Sequence, residues 1–144
     1  MIVLDTNIVS ELMRPPDERS QAVLSWLRGT SLESLCTTAI TVAEIGVGIN
    51  KLPNGRRRDD FESAARRAFK TYFPRRILPF DQAAAESFGP LIAERRRKGR
   101  HFHGFDFQIL AIAASRGFAV ATRNTRDFSD VGVELVNPWD HPAP

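Results

Sequence analysis

Short apolar runs alternate along the chain with longer stretches in which apolar residues recur at helical spacing. Ile2-Val3-Leu4 is a continuous apolar run, as expected of a strand buried on both faces of a parallel sheet, and it stops at a carboxylate, Asp5. A short helix is predicted over residues 6–12, stopped by Pro15 and Pro16, and a second over 22–27 that ends near Gly29. Residues 35–37 read as a brief strand and 39–51 as a helix. Pro53-Asn54-Gly55 then marks a turn before a long Arg-rich helix reaching Tyr72.

The alternation continues to the end. Ile77-Leu78 is a strand candidate, and Asp81 is placed to cap a helix running to Lys98, in which Pro90 is expected to force a kink or a break. Residues 99–104 read as a loop, 105–116 as a strongly apolar helix closed by Gly117, and 118–121 as a strand leading into Thr122-Arg-Asn-Thr-Arg-Asp127. A last strand falls at 134–136. This order predicts an α/β fold: one domain over residues 1–144, with a central parallel sheet of about five strands, helices on both faces and ligands at the carboxyl ends of strands.

Three acids break the pattern of their surroundings. Asp5 ends the first strand. Glu44 shares a helix face with Ile40 and Val47, and Asp106 stands at i−3, i−4 and i−7 from Ile109, Leu110 and Ala113, so both acids are expected to point with core-facing side chains. A carboxylate in low dielectric costs several kcal/mol or more unless something compensates it. An arginine partner would do so, and Asp5 could also serve as the N-cap of the following helix. A hard divalent cation would compensate all three at once, and such an ion lowers the pKa of a water ligand and neutralises charge developing on a phosphodiester.

Composition narrows the class without naming a function. A hydrophobic content of 42% and a charged content of 26% exclude the disordered and membrane classes. The start has no basic n-region with a following apolar stretch, so neither a signal peptide nor a membrane span is expected. The lone Cys36 permits no intrachain disulfide, which suits the cytoplasm. The net charge is only +3, yet the cations cluster at Arg56-Arg57-Arg58, Arg66-Arg67, Arg75-Arg76 and Arg95-Arg96-Arg97-Lys98 with Arg100. Such clusters are either solvated helix faces or contacts for a polyanion.

Four blocks carry a family resemblance: Met1-Ile-Val-Leu-Asp5-Thr6-Asn7, Ala39-Ile-Thr-Val-Ala-Glu44-Ile-Gly, Gly104-Phe-Asp106-Phe-Gln-Ile-Leu-Ala, and Thr122-Arg-Asn124-Thr-Arg-Asp127-Phe with Asn137-Pro-Trp. Together they resemble the PIN-domain family, and more narrowly the VapC- and FitB-like toxins of toxin–antitoxin pairs. The resemblance implies a Mg²⁺- or Mn²⁺-dependent ribonuclease acting on RNA, a homodimer, and a cognate antitoxin protein as partner. By position it assigns catalysis and metal binding to Asp5, Glu44 and Asp106, with Asn7 and Thr122 holding the acids in place. Where the family often has a fourth aspartate stands Asn124, which has a carbonyl oxygen but no charge, and Asp127 is the nearby acid that could take its place. RNA contact is assigned to Arg95, Arg96, Arg97, Lys98 and Arg100.

Other readings remain open at this point. A binding module that keeps the fold without efficient chemistry is suggested by Asn124, and an aspartyl-phosphate route by the position of Asp5, although Asn7 cannot act as its general acid. His101 and His103, two apart in a loop, form a poor preformed ligand pair and read rather as surface contacts to phosphate. Phe69, Tyr72 and Phe73 read as packing or dimer contacts.

Overall fold

In the computed structural model, which describes residues 1–143, the first half of the chain runs β1 (Ile2–Leu4), α1 (Thr6–Met13), α2 (Gln21–Arg28), β2 (Leu35–Thr38), α3 (Ala39–Asn50) and α4 (Arg56–Tyr72). The second half runs β3 (Ile77–Leu78), α5 (Gln82–Arg97), α6 (Gly104–Arg116), β4 (Ala119–Ala121), α7 (Thr125–Phe128) and β5 (Leu135–Val136). The five strands form one parallel sheet in the order β3-β2-β1-β4-β5. Val3 lies opposite both Cys36 and Val120, which places β1 at the centre.

Right-handed crossovers explain the two layers of helices, because the chain moves outward from β1 through β2 to β3 and then returns across β1 to β4. The change of direction puts α1–α4 over one face and α5–α7 over the other. Strand side chains alternate accordingly. Leu4 and Leu35 join Ile8, Val23, Trp26, Ile45 and Phe73 in one core, whereas Val3, Cys36 and Val120 join Ile92, Phe107, Leu110 and Phe128 in the other. Burial pushes the Cys36 thiol up to about 11, so it is an inert core residue.

Helix α5 continues through Pro90, so of the kink or break expected there the break does not occur. The carbonyl that proline leaves without a donor belongs to Glu86, and both residues are exposed, so water can take the missing bond. In α3 the buried stripe is Thr41, Ile45 and Ile49, while Val47 is 45% exposed. Glu44 therefore sits on the margin of the core and not within it. Phe73 is buried, with Phe69 and Tyr72 packed on the same core, which accounts for these aromatics by packing.

The arginine clusters are also divided by the fold. Arg76 donates to the carbonyls of Leu35, Leu32 and Tyr72, tying the end of α4 to the sheet edge. Gly117 closes α6 at φ 66°, a left-handed conformation that suits glycine, and its successor Phe118 donates back to the Ala113 carbonyl.

Candidate active site

Reversal of strand order leaves a crevice between β1 and β4 at their carboxyl ends, and Asp5 is the first residue beyond β1. Its backbone N–H still pairs with the Ala121 carbonyl of β4, so the sheet itself positions it. The side chain is 4% exposed and accepts three hydrogen bonds: Oδ1 from the Thr6 N–H (2.6 Å), Oδ2 from the Thr122 hydroxyl (2.8 Å) and from Asn7 Nδ2 (3.0 Å). A carboxylate offers roughly four acceptor sites, so one stays open toward the crevice. Asp5 thus does cap α1, and it also has capacity left for a ligand.

Helix α3 brings in Glu44, which the Thr6 hydroxyl holds through Oε1 at 2.8 Å, and the first turn of α6 brings in Asp106. One carboxylate oxygen from each of Asp5, Glu44 and Asp106 lies within 4.8 Å of the others. Metal–oxygen distances of roughly 2.0–2.6 Å place ligands on opposite sides of an ion roughly 4–5 Å apart, so the cluster has the dimensions of a shared cation site.

Electrostatics excludes an arginine as the compensating charge. No lysine or arginine forms an ion pair with any of the three acids among the described residues. Burial raises the Asp5 carboxyl above its ordinary range despite the three hydrogen bonds, and burial together with the Asp5 charge raises Glu44. Asp106 is pushed up to about 6 by desolvation and by repulsion from Asp5 and Glu44, with only His103 pulling the other way. Like charges held together in this manner make a site that a divalent cation would relieve.

Asn7 and Thr122 sit where they hold Asp5. Nδ2 of Asn7 reaches both Asp5 and the Thr122 hydroxyl (3.3 Å), and its Oδ1 accepts from the Arg123 N–H. Asn124 is exposed at the start of α7, and its contact with the network is its backbone N–H, which donates to Thr122 Oγ1 (3.1 Å). Asp127 is exposed as well, close enough to raise Asp106 but outside the three-acid cluster. His101, His103, Arg100, Asp106 and Asp127 line one groove of about 580 Å³.

The basic run at the end of α5 is not uniform. Arg96, Arg97, Lys98 and Arg100 are exposed, whereas Arg95 is 8% exposed and paired with Asp130 at 3.0 Å. Arg95 therefore offers a surface ligand much less of its guanidinium than its exposed neighbours do. Sequence reasoning gave no role to Thr6, although it stands between Asp5 and Asn7 at the first helical position, where a hydroxyl can reach the neighbouring helix. The contribution of Asp130 carried no sequence signal, because its partner is 35 residues away.

The PIN domain family matches residues 2–134. The chain is 39% identical over 140 residues to the VapC ribonuclease Y4jK of Sinorhizobium fredii, covering 97% of this chain and 99% of that protein. It is 36% identical over 140 residues to the toxin FitB of Neisseria gonorrhoeae, covering 96% and 99%. Among solved structures, FitAB bound to the IR36 DNA fragment superposes with a TM-score of 0.86 at 34% identity, over 99% of this chain and 98% of that one.

Proposed function

The chain belongs to the PIN-domain family, and from that premise we propose that it is a divalent-metal-dependent endoribonuclease, the toxin of a toxin–antitoxin pair, with Asp5, Glu44 and Asp106 as its catalytic acids. The observation that carries this reading is the convergence of three carboxylates, with no cationic side chain among them, at the strand-order reversal. The relatives named a VapC ribonuclease and a toxin support the activity, and the FitAB complex supports a cognate antitoxin as partner. A homodimer in the cytoplasm completes the proposal. No helix among the described residues is long and apolar enough to cross a membrane.

The donor set is all oxygen, which suits Mg²⁺ or Mn²⁺. When bound, such an ion supplies Lewis acidity toward a phosphoryl oxygen and toward water. The residues of the chain do the rest. Thr122, Asn7 and the Thr6 N–H aim the Asp5 oxygens, and Thr6 steers Glu44. Asp106, on the first turn of α6, would complete the set of carboxylates that holds the ion. Exposed Arg96, Arg97, Lys98 and Arg100 are assigned to the RNA backbone. The surface pairs that Arg97 and Lys98 make with Glu94 are readily exchanged for phosphate.

Asn124 motivates the competing idea of a binding module without chemistry, but its side chain makes no hydrogen bond to any of the three acids, which come together without it. An aspartyl-phosphate route is disfavoured because the residue two past Asp5 is Asn7, an amide that donates to Asp5 and cannot act as a general acid. Total bacterial RNA incubated with the antitoxin-free protein should be cut internally with Mg²⁺ or Mn²⁺ and left whole with EDTA. RNA that is bound but never cut in any metal would replace the nuclease by the binding module.

A further inference from the structure

The groove beside Asp106 has two lips that come from separate parts of the chain. One carries Arg100, His101 and His103, from the connection between α5 and α6, and the other carries Arg126 and Asp127, from α7. Phe102, Phe107 and Phe128 pack edge to face in its floor, with centroids 5.9 and 6.0 Å apart. Phe107 and Phe128 are buried and support the groove from below, while Arg100 on one lip and Arg126 on the other present cations to the phosphates of a nucleic-acid strand.

Arg95 lines this groove and joins one lip to the segment that follows the other. Its Nε donates to the His101 carbonyl (2.8 Å), its NH1 to Asp130 Oδ1 (3.0 Å), and its guanidinium carbon stands 5.6 Å from the centre of the Phe107 ring, the residue after Asp106. Those contacts belong to the first lip, to the segment just after the second lip, and to the floor. Lys98 closes the junction from outside by donating to the Asp130 carbonyl (2.9 Å), and Arg100 stands 3.5 Å from the Asp130 carboxylate. The planar fork of arginine makes both polar bonds at once, which the single ammonium of lysine cannot reproduce in that geometry.

We propose that Arg95, through its ion pair with Asp130, is a positioning residue that sets the spacing of the two lips, and that the groove between them seats the RNA strand next to the cleaved bond. The proposal rests on the nuclease reading above for the last step only. A buried ion pair that served stability alone would leave substrate affinity untouched.

The test compares wild type with Arg95→Lys, Arg95→Met, Asp130→Asn and the Arg95→Met/Asp130→Asn double variant. Affinity for a fluorescein-labelled single-stranded RNA oligonucleotide is read by anisotropy in EDTA, and kcat and KM are read with Mn²⁺. Each single variant is expected to weaken binding and raise KM by about tenfold, short of the roughly hundredfold loss that follows a 1 Å misplacement of reacting groups, with kcat per folded molecule within about twofold. The double variant should bind no worse than the weaker single one, because the two side chains act as one unit. Asp130→Asn keeps the shape of the side chain and covers the case in which Arg95→Met does not fold.

Unchanged affinity and KM with only a lower melting temperature would overturn the proposal, as would additive losses in the double variant. If wild type cuts no RNA yet loses binding in these variants, the nuclease reading fails and the positioning role stands. If it cuts RNA and binding ignores Arg95 and Asp130, the reverse holds.

Discussion

Asp106→Asn is expected to reduce metal-dependent RNA cleavage by roughly 10²–10³-fold or more, the scale on which a single preorganised electrostatic group acts at a reacting centre. Single-turnover rates at saturating Mn²⁺ measure it. The substitution preserves size and one acceptor oxygen, so the packing of Phe107, Ile109 and Leu110 in the same helix should survive. It removes the charge that Asp5 and Glu44 repel.

This makes the variant its own folding control. The Asp106 carboxyl is pushed up to about 6 from an ordinary 3.8, so between those values the folded, metal-free chain holds a proton that the unfolded chain has released. Stability therefore declines as pH rises through that window, and the full penalty is present above pH 6. Asp106 is partly exposed, so after solvent screening the penalty is about 1 kcal/mol and not the full value of the shift. In EDTA at pH 7.5 Asp106→Asn should melt at the same temperature as wild type or higher, while its activity is lost. A variant both inactive and strongly destabilised would instead mean that Asp106 is a structural residue.

The second large effect is the loss of all cleavage on chelation, with a recovery that depends on pH. Protons and cations compete for the same carboxylates, so the Mn²⁺ concentration that half-restores cleavage should change little between pH 7 and 8 and rise by about tenfold per pH unit below 6. The raised Asp5 and Glu44 carboxyls add to this slope in the same direction. Metal also reverses the sign of the stability effect, since an ion at a hundredfold excess over its dissociation constant stabilises by about 2.7 kcal/mol. Melting curves with and without Mn²⁺ at pH 5 and 7.5 check this: a large upward shift at 7.5 and a small one at 5 are expected. Equal shifts at both values would place the ion elsewhere.

The parts of the fold that were legible in the sequence are those in which local pattern and tertiary role agree. Ile2-Val3-Leu4 reads as a doubly buried strand because neighbours cover both of its faces, and Gly117 marks the end of α6 because only a left-handed residue fits there. Whether Pro90 breaks α5 is not legible in sequence, because the cost of proline depends on whether water can reach the freed carbonyl, which is a property of the surface. Val47 misled because helical periodicity identifies a stripe but not its edges, and α3 has apolar residues all round.

The candidate site was legible for a related reason. A carboxylate at the end of an apolar strand and another in an apolar helix are costly wherever they occur, so they stand out in one dimension. Thr6 was invisible because a threonine at the start of a helix is common, and what matters is its reach to Glu44 across the crevice. The Arg95–Asp130 pair was hidden by its context, since one buried arginine among exposed ones has no mark of its own before α5 and the segment after α7 are brought together.

The central claim is that Asp5, Glu44 and Asp106 together hold a divalent cation, and bound Mn²⁺ counted by electron paramagnetic resonance tests it without recourse to any RNA. The comparison is wild type against Glu44→Gln and Asp106→Asn, which keep side-chain volume and lose charge, at pH 7.5. Wild type should take up Mn²⁺ from solution, and both variants should lose that uptake at the concentration that saturates wild type. Equal uptake by all three proteins, or none by wild type, would contradict it.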